Sequence, residues 1–262
     1  MKLKIYQIDA FTNKVFSGNP AAVCPLDQWL SDRLMQQIAA ENNLAETAFY
    51  VKKGNYFEIR WFTPTTEVDL CGHATLATAF VLFNHESYTE STIEFYSPRS
   101  GTLTVSKNED FLTLNFPTDT LQEIALTEEF INCFDLIPSI AFKGKTDYLF
   151  VFENEEDIVK IRPVFAEIVR LDGRGIIITG KGNEVDFVSR FFAPQVGINE
   201  DPVTGSAHSQ LIPFWSEKLG KQKMTARQLS KRGGELVCED NGHRVLMAGQ
   251  GVLFMKGEIY LP

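Results

Sequence analysis

The strongest constraint on this 262-residue chain is that it partly repeats itself. Arg60-Trp-Phe-Thr-Pro64 returns as Arg190-Phe-Phe-Ala-Pro194, an Arg-aromatic-Phe-small-Pro string displaced by half the chain. Each copy leads into an acidic stretch and then a turn that opens a helix. The first reads Glu67-Val-Asp-Leu-Cys-Gly-His-Ala74, and the second Glu200-Asp-Pro-Val-Thr-Gly-Ser-Ala207, three residues further on. A short string can recur by chance. The same string with the same sequel, in the same order, points to a duplicated unit. The expected organisation is therefore two similar lobes of α/β (α+β) character, residues 1–117 and 118–249. The final strand, about 250–262, completes the first lobe. Two lobes of this size each bury an adequate core.

Local patterns agree with alternating strands and a few helices. Leu3–Ile8 and Phe57–Phe62 alternate like strands. Hairpins are expected across Thr102–Phe116 around Asn108-Glu-Asp110, and at Asn241-Gly242, a strong two-residue turn signal. Asp32–Asn42 carries helical apolar spacing at Leu34, Met35, Ile38 and Ala39, with Ser31 as N-cap. Ala74–Phe83 is apolar on all sides, which predicts a buried helix; Leu211–Leu219 follows Ser206 in the matching place. The polar run Asp119–Glu129 reads as the crossing between lobes.

The net charge of −9 disfavours nucleic acid and anionic membrane as partners. The longest apolar stretch is too short to span a bilayer, and the start lacks a secretory apolar core. Cys24, Cys71, Cys133 and Cys238 lie far apart without a CxxC pair, which predicts a reduced, cytoplasmic protein. No metal-ligand spacing links the histidines, cysteines and carboxylates, so no metal is expected.

Chemistry is expected where the two repeats turn into their helices. Gly72 and Gly205 let a ligand anion approach the first helical amides. A pair of such helix starts suits a carboxylated substrate, although either one alone reads as a well-capped buried helix. His73 and Ser206 hold equivalent places after the glycines, and an imidazole there titrates near neutrality. His208 reads as a supporting residue, while His85 and His243 read as surface or hairpin residues. Glu46 lies among Leu44, Ala45, Ala48 and Phe49. A desolvated carboxylate suits an acid that takes and returns a proton near neutral pH. Read alone, Glu46 is equally a glutamate paired with Arg60 or another base, and Asp201 equally a helix-cap carboxylate or a catalytic partner.

These strings, with Gly18-Asn-Pro-Ala-Ala-Val23, Glu46-Thr-Ala-Phe49, Phe62-Thr-Pro64 and Glu200-Asp-Pro-Val-Thr-Gly-Ser-Ala-His208, resemble the phenazine biosynthesis (PhzF-like) isomerase family. The resemblance runs from the first strand to Arg232-Gly-Gly234. It implies a diaminopimelate epimerase-like fold, with each lobe wrapping a curved, mostly antiparallel sheet around a central helix. It also implies a homodimer and a cofactor-independent acid/base site in the cleft between lobes, acting on a small carboxylated substrate. Carried onto this chain, the catalytic residues are Glu46, Asp201 and His73, and the substrate-binding residues are Gly72, Gly205 and Ser206. A serine often precedes the family glutamate, where this chain has Ala45. The related epimerases use two opposed thiols; Cys71 resembles one, but Thr204 stands in the other place, and a hydroxyl cannot alternate with a thiolate. An amino- or imino-acid epimerase using Glu46 or Cys71 with Asp201 is the alternative enzyme. A non-catalytic binding or interaction protein that retains the fold is the alternative outside catalysis.

Overall fold

The computed structural model describes residues 1–261. The chain forms two compact units, Met1–Asn115 with Ala248–Pro262, and Phe116–Met247.

In the first stretch of chain, strands β1 (Lys2–Ala10) and β2 (Asn19–Leu26) precede helix α1 (Asp32–Asn42). Then come β3 (Glu46–Lys53), β4 (Tyr56–Phe62) and the short β5 (Glu67–Val68), followed by helix α2 (Gly72–His85). Strands β6 (Thr92–Ser97), β7 (Gly101–Asn108) and β8 (Phe111–Pro117) close the stretch. The second begins with β9 (Gln122–Ile124), helix α3 (Glu128–Ile131), β10 (Ile140–Lys143) and β11 (Asp147–Asn154). Two short helices, α4 (Glu155–Lys160) and α5 (Phe165–Ile168), lead to β12 (Gly175–Lys181), β13 (Phe187–Ala193) and β14 (Ile198–Asp201). Helix α6 (Gly205–Leu219) precedes β15 (Lys223–Gln228), β16 (Gly234–Asp240) and β17 (Arg244–Gly249), and β18 (Gly251–Tyr260) ends the fold.

Strand pairing repeats step for step. In the first unit, β1–β2 is antiparallel, β2–β3 parallel, β3–β4 antiparallel, β4–β6 parallel and β6–β7 antiparallel. In the second, β10–β11, β11–β12, β12–β13, β13–β15 and β15–β16 follow the same sequence of senses. The edge strands correspond too: β18 runs antiparallel to β1, and β9 antiparallel to β10. Each therefore lies in the unit opposite to the stretch of chain it follows. The polar run Asp119–Glu129 is accordingly more than a crossing, since β9 within it joins the second unit's sheet.

Both faces of each sheet are covered. On β2 and β3, Ala22, Cys24, Phe49 and Val51 pack with Met35, Ile38 and Ala39 of α1. The alternate residues Ala21, Val23, Ala48 and Tyr50 are buried as well, on the face that α2 covers. Double burial explains why β3 reads as a continuous apolar run. In the second unit, Phe150, Phe152, Ile176, Ile178, Val188 and Phe192 pack with Ile158 and Ile168 of the short helices. On the other face, Trp215 of α6 stacks on Phe187 at 5.7 Å between centroids and donates to Thr179 Oγ1 at 2.9 Å. Ser31 caps α1 by accepting from the Leu34 amide, and the Asn241 turn closes with its amide on the Arg244 carbonyl at 2.9 Å.

The repeated string builds the same device twice. Arg60 Nε and NH2 fork onto Glu67 at 2.7 and 2.8 Å, and its guanidinium lies over Phe62 at 5.2 Å. Arg190 forks onto Glu200 at 2.7 and 3.1 Å and lies over Phe192 at 4.9 Å. The second copy's extra residues form a single 3-10 turn, Pro194–Val196, before the pairing resumes.

Candidate functional site

Strand register aligns the two units residue by residue. With Phe62 matched to Phe192, their partners Thr47 and Ile176 correspond. Glu46 then corresponds to Gly175, and Ala45 to Arg174. The parallel pairings Ala21–Glu46 and Asp147–Gly175 match Ala21 to Asp147. The helix starts align likewise: Cys71 and Thr204 are the N-caps, followed by Gly72 and Gly205, then by His73 and Ser206.

In the first unit the structure brings Glu46 and His73 together. Glu46 Oε2 lies 3.0 Å from His73 Nε2, an ion-pair contact with both side chains nearly enclosed. Glu46 begins β3, and His73 is the second residue of the wholly buried first turn of α2. The other ring nitrogen, Nδ1, faces the Asn19 side-chain amide at 3.1 Å and Cys71 Sγ at 3.6 Å. Asn19 reaches it because Gly18 turns the chain at φ 64°. A Cβ on Gly18 would lie 2.2 Å from the Ala10 carbonyl oxygen, so the turn needs glycine on both counts.

Burial works against a charged His73, but Cys71 and Glu46 outweigh it and hold the imidazole pKa well above its ordinary value. Burial, and then Glu46 itself, push the Cys71 thiol up. The pairing of Glu46 with Arg60, left open by sequence, does not occur: Arg60 is engaged by Glu67 and by Asp32 at 2.8 Å.

The second unit has different chemistry at the same place. Thr204 Oγ1 donates to Asp201 at 2.5 Å. The buried amide of Gln228 clamps this corner, donating to the Asp201 carbonyl and accepting from the Thr204 amide, both at 2.8 Å. Ser206 Oγ accepts from Arg174 at 2.9 Å. Arg174 in turn forks onto the buried Asp147, with Nε at 2.9 Å from Oδ1 and NH2 on Oδ2, and lies over the Phe191 ring at 5.2 Å. His208 Nδ1 donates to the Thr204 carbonyl at 2.8 Å, and burial lowers its pKa to about 4, so the ring is neutral. His208 thus braces the first turn of α6. His85 departs from its surface reading. It is half-buried and stacked on Tyr6 at 5.5 Å, while His243 lies on the exposed hairpin turn.

Arg174, Asp147 and Gln228 were missed from sequence, because no motif marks them and their contacts span 24 to 32 residues. Asn19 did carry a signal, within the Gly18-Asn-Pro string. One cluster was also invisible in sequence spacing. The potential ligand atoms of Glu46, Cys71 and His73 lie within 4.8 Å of one another. Glu46 and Cys71 face opposite ring nitrogens of His73.

A duplicated strand-and-helix fold, with a glutamate–histidine pair at one of its two helix starts, defines the class. The profile of phenazine biosynthesis-like proteins (PhzC-PhzF) matches residues 8–257. An uncharacterized isomerase of Pseudomonas aeruginosa is 51% identical over 262 residues, covering 100% of each chain. The crystal structure of a PhzF-family protein from Enterococcus faecalis is 49% identical, covers 100% of each chain and superposes with a TM-score of 0.96. The chain belongs to the phenazine biosynthesis-like (PhzF) family, and the Pseudomonas relative is named an uncharacterized isomerase. A hydroxyproline epimerase from Agrobacterium vitis, 7% identical with a TM-score of 0.66, covers 98% of this chain and 92% of its own; it shares the fold. Among the described residues, no helix is long and apolar enough to cross a membrane.

Proposed function

We propose that the protein is a cofactor-independent isomerase that moves a proton within a small carboxylated metabolite, with Glu46 as the proton carrier. The observation that carries this reading is the 3.0 Å contact between Glu46 and a largely enclosed His73 at the start of α2. A carboxylate in that setting takes a proton from an activated carbon. The electron pair left behind shifts into the adjoining unsaturated or carbonyl system, and the same carboxyl returns the proton to another carbon. His73, drawn toward its charged form by Cys71 and Glu46, steadies the carboxylate between the two transfers. Asp201 is assigned as an electrostatic partner rather than a second base, because its carboxylate is already engaged by Thr204. Gly72, Gly205 and Ser206 are assigned to substrate binding. The protein is taken to act in the cytoplasm as a homodimer.

An epimerase of amino or imino acids is the second reading, favoured by Cys71 at the N-cap of α2. Thr204 at the matching N-cap removes its two-thiol form, and the raised thiol pKa of Cys71 weakens its one-thiol form.

The test is incorporation of solvent deuterium into small carboxylated metabolites. Once a substrate exchanges, Glu46→Gln keeps shape and hydrogen bonding but cannot accept a proton, so exchange should fall by about a hundredfold or more. Asp201→Asn should lose less and keep residual exchange. Glu46→Gln exchanging at the wild-type rate while Cys71→Ser is dead would replace this mechanism with the thiol one.

A further inference from the structure

We propose that the first unit carries a second ligand site, a pocket at the C-terminal end of α2 that takes a small aromatic carboxylate. The cavity measures about 530 Å³, within the range of small-molecule pockets. It lies where the end of α2 and the chain after it, residues 86–90, meet the first residues of β1 and the far ends of β2 and β3. Helix α2 rises about 20 Å over its 14 residues, so the pocket stands well away from His73 at the helix start. This site goes beyond the isomerase reading and does not depend on it.

Tyr50 points to a ligand. It lines the cavity at only 4% exposure, and its hydroxyl has no hydrogen-bond partner among the described residues. A buried polar group without a partner costs free energy, and a ligand oxygen would supply the acceptor. The wall beside it is aromatic. Tyr50 meets Phe57 edge-on at 5.7 Å between centroids, and Phe57 meets Tyr88 at the same distance. With the buried Leu82 they offer a surface for a flat apolar body. Charge is supplied from the same strand. Lys52 stands two residues past Tyr50 on one face of β3, across from Phe57, and has no ion pair among the described residues. The other lysines of the pocket are held, Lys2 by Glu258 at 3.3 Å and Lys4 by Glu86 at 3.0 Å. Burial, and then the Glu86 charge, push the Tyr50 phenol up. Glu86 is itself engaged, accepting from Lys4 at 3.0 and 3.1 Å and from Tyr6 at 2.7 Å. Asp27 and Glu90 border the pocket from exposed positions, where solvent screens them. A carboxylate accepting from the Tyr50 hydroxyl and paired with Lys52, its ring against Phe57 and Tyr88, answers all of these groups together.

4-Fluorobenzoate is the probe, read by fluorine NMR on the full chain. A saturable shift is expected in the wild type. Tyr50→Phe removes the hydroxyl, keeps the aromatic wall and should weaken the probe at least about tenfold, the worth of a hydrogen bond to a charged group. Because that hydroxyl has no partner in the folded chain, the same variant should resist urea as well as the wild type does. Lys52→Gln should weaken the probe less, by about threefold, as for an exposed charge. Glu46→Gln should bind it as the wild type does. 4-Fluorobenzamide, with the same shape and no charge, should bind more weakly than the acid. No saturable shift in the wild type would overturn this assignment, as would wild-type affinity in Tyr50→Phe. An affinity that falls in Glu46→Gln but not in Tyr50→Phe would place the probe at the start of α2 and overturn it too. Benzamide binding as tight as benzoate binding would overturn the choice of a carboxylate.

Discussion

Helices α2 and α6 begin in the same way and in the same place within their units, yet the residues around their first turns carry opposite electrostatics. At α2, a carboxylate approaches a histidine whose pKa is held well above ordinary. At α6, a serine is bonded to an arginine, and the nearby His208 is driven neutral by burial. The scaffold is shared down to strand sense and the forked Arg–Glu pair behind each helix start. The difference lies in a handful of side chains on that scaffold. Duplication supplies the geometry, and divergence at the helix mouth supplies the chemistry.

The largest stability effect should separate the histidines. His208 falls from 6.5 to about 4 on folding, while His73 rises. The unfolded chain therefore binds a proton at His208 between pH 6.5 and about 4 that the native state refuses. Stability should decline by roughly 3 kcal/mol as pH falls across that window. His73 acts oppositely: its contribution is fully present below pH 6.5 and is lost as pH rises through its folded pKa. His208→Asn keeps a donor for the Thr204 carbonyl and should flatten the acid limb of urea-unfolding stability against pH. An unchanged acid limb in that variant would place the titration elsewhere.

A smaller effect should unite the two units. Glu67→Gln and Glu200→Gln each remove one partner of a largely buried fork, and each should cost about 2 kcal/mol in urea unfolding. The comparison is sharpened if the two costs agree. It breaks if one variant is silent, since the forks would then not be equivalent parts of a repeated device.

The repeat was legible because it lies in side chains with strict local demands. Arg60 and Arg190 need a carboxylate within one hairpin's reach, and a glycine opens both α2 and α6. Ser31, Asn241 and Gly242 were legible for the same local reason. Strand β9 was not, because a three-residue strand inside a polar run has no periodicity of its own and is defined by pairing with β10. Of the candidate site, Glu46 and His73 could be nominated from sequence, but their contact spans 27 residues and depends on β3 lying beside β2. Arg174 carried no signal at all. An arginine before an apolar strand is usually a solvated surface residue, and only the strand register reveals that it stands where Ala45 stands in the first unit.

The sharpest test of this division is nitrogen NMR of the two imidazoles across pH. With the unfolded value of histidine at about 6.5, the account predicts that His73 titrates above that value. It predicts His208 neutral, with its proton on Nδ1, down to about pH 5. A His73 ring that titrates at or below the unfolded value would contradict the charged pair with Glu46, and with it the assignment of proton transfer to the first unit.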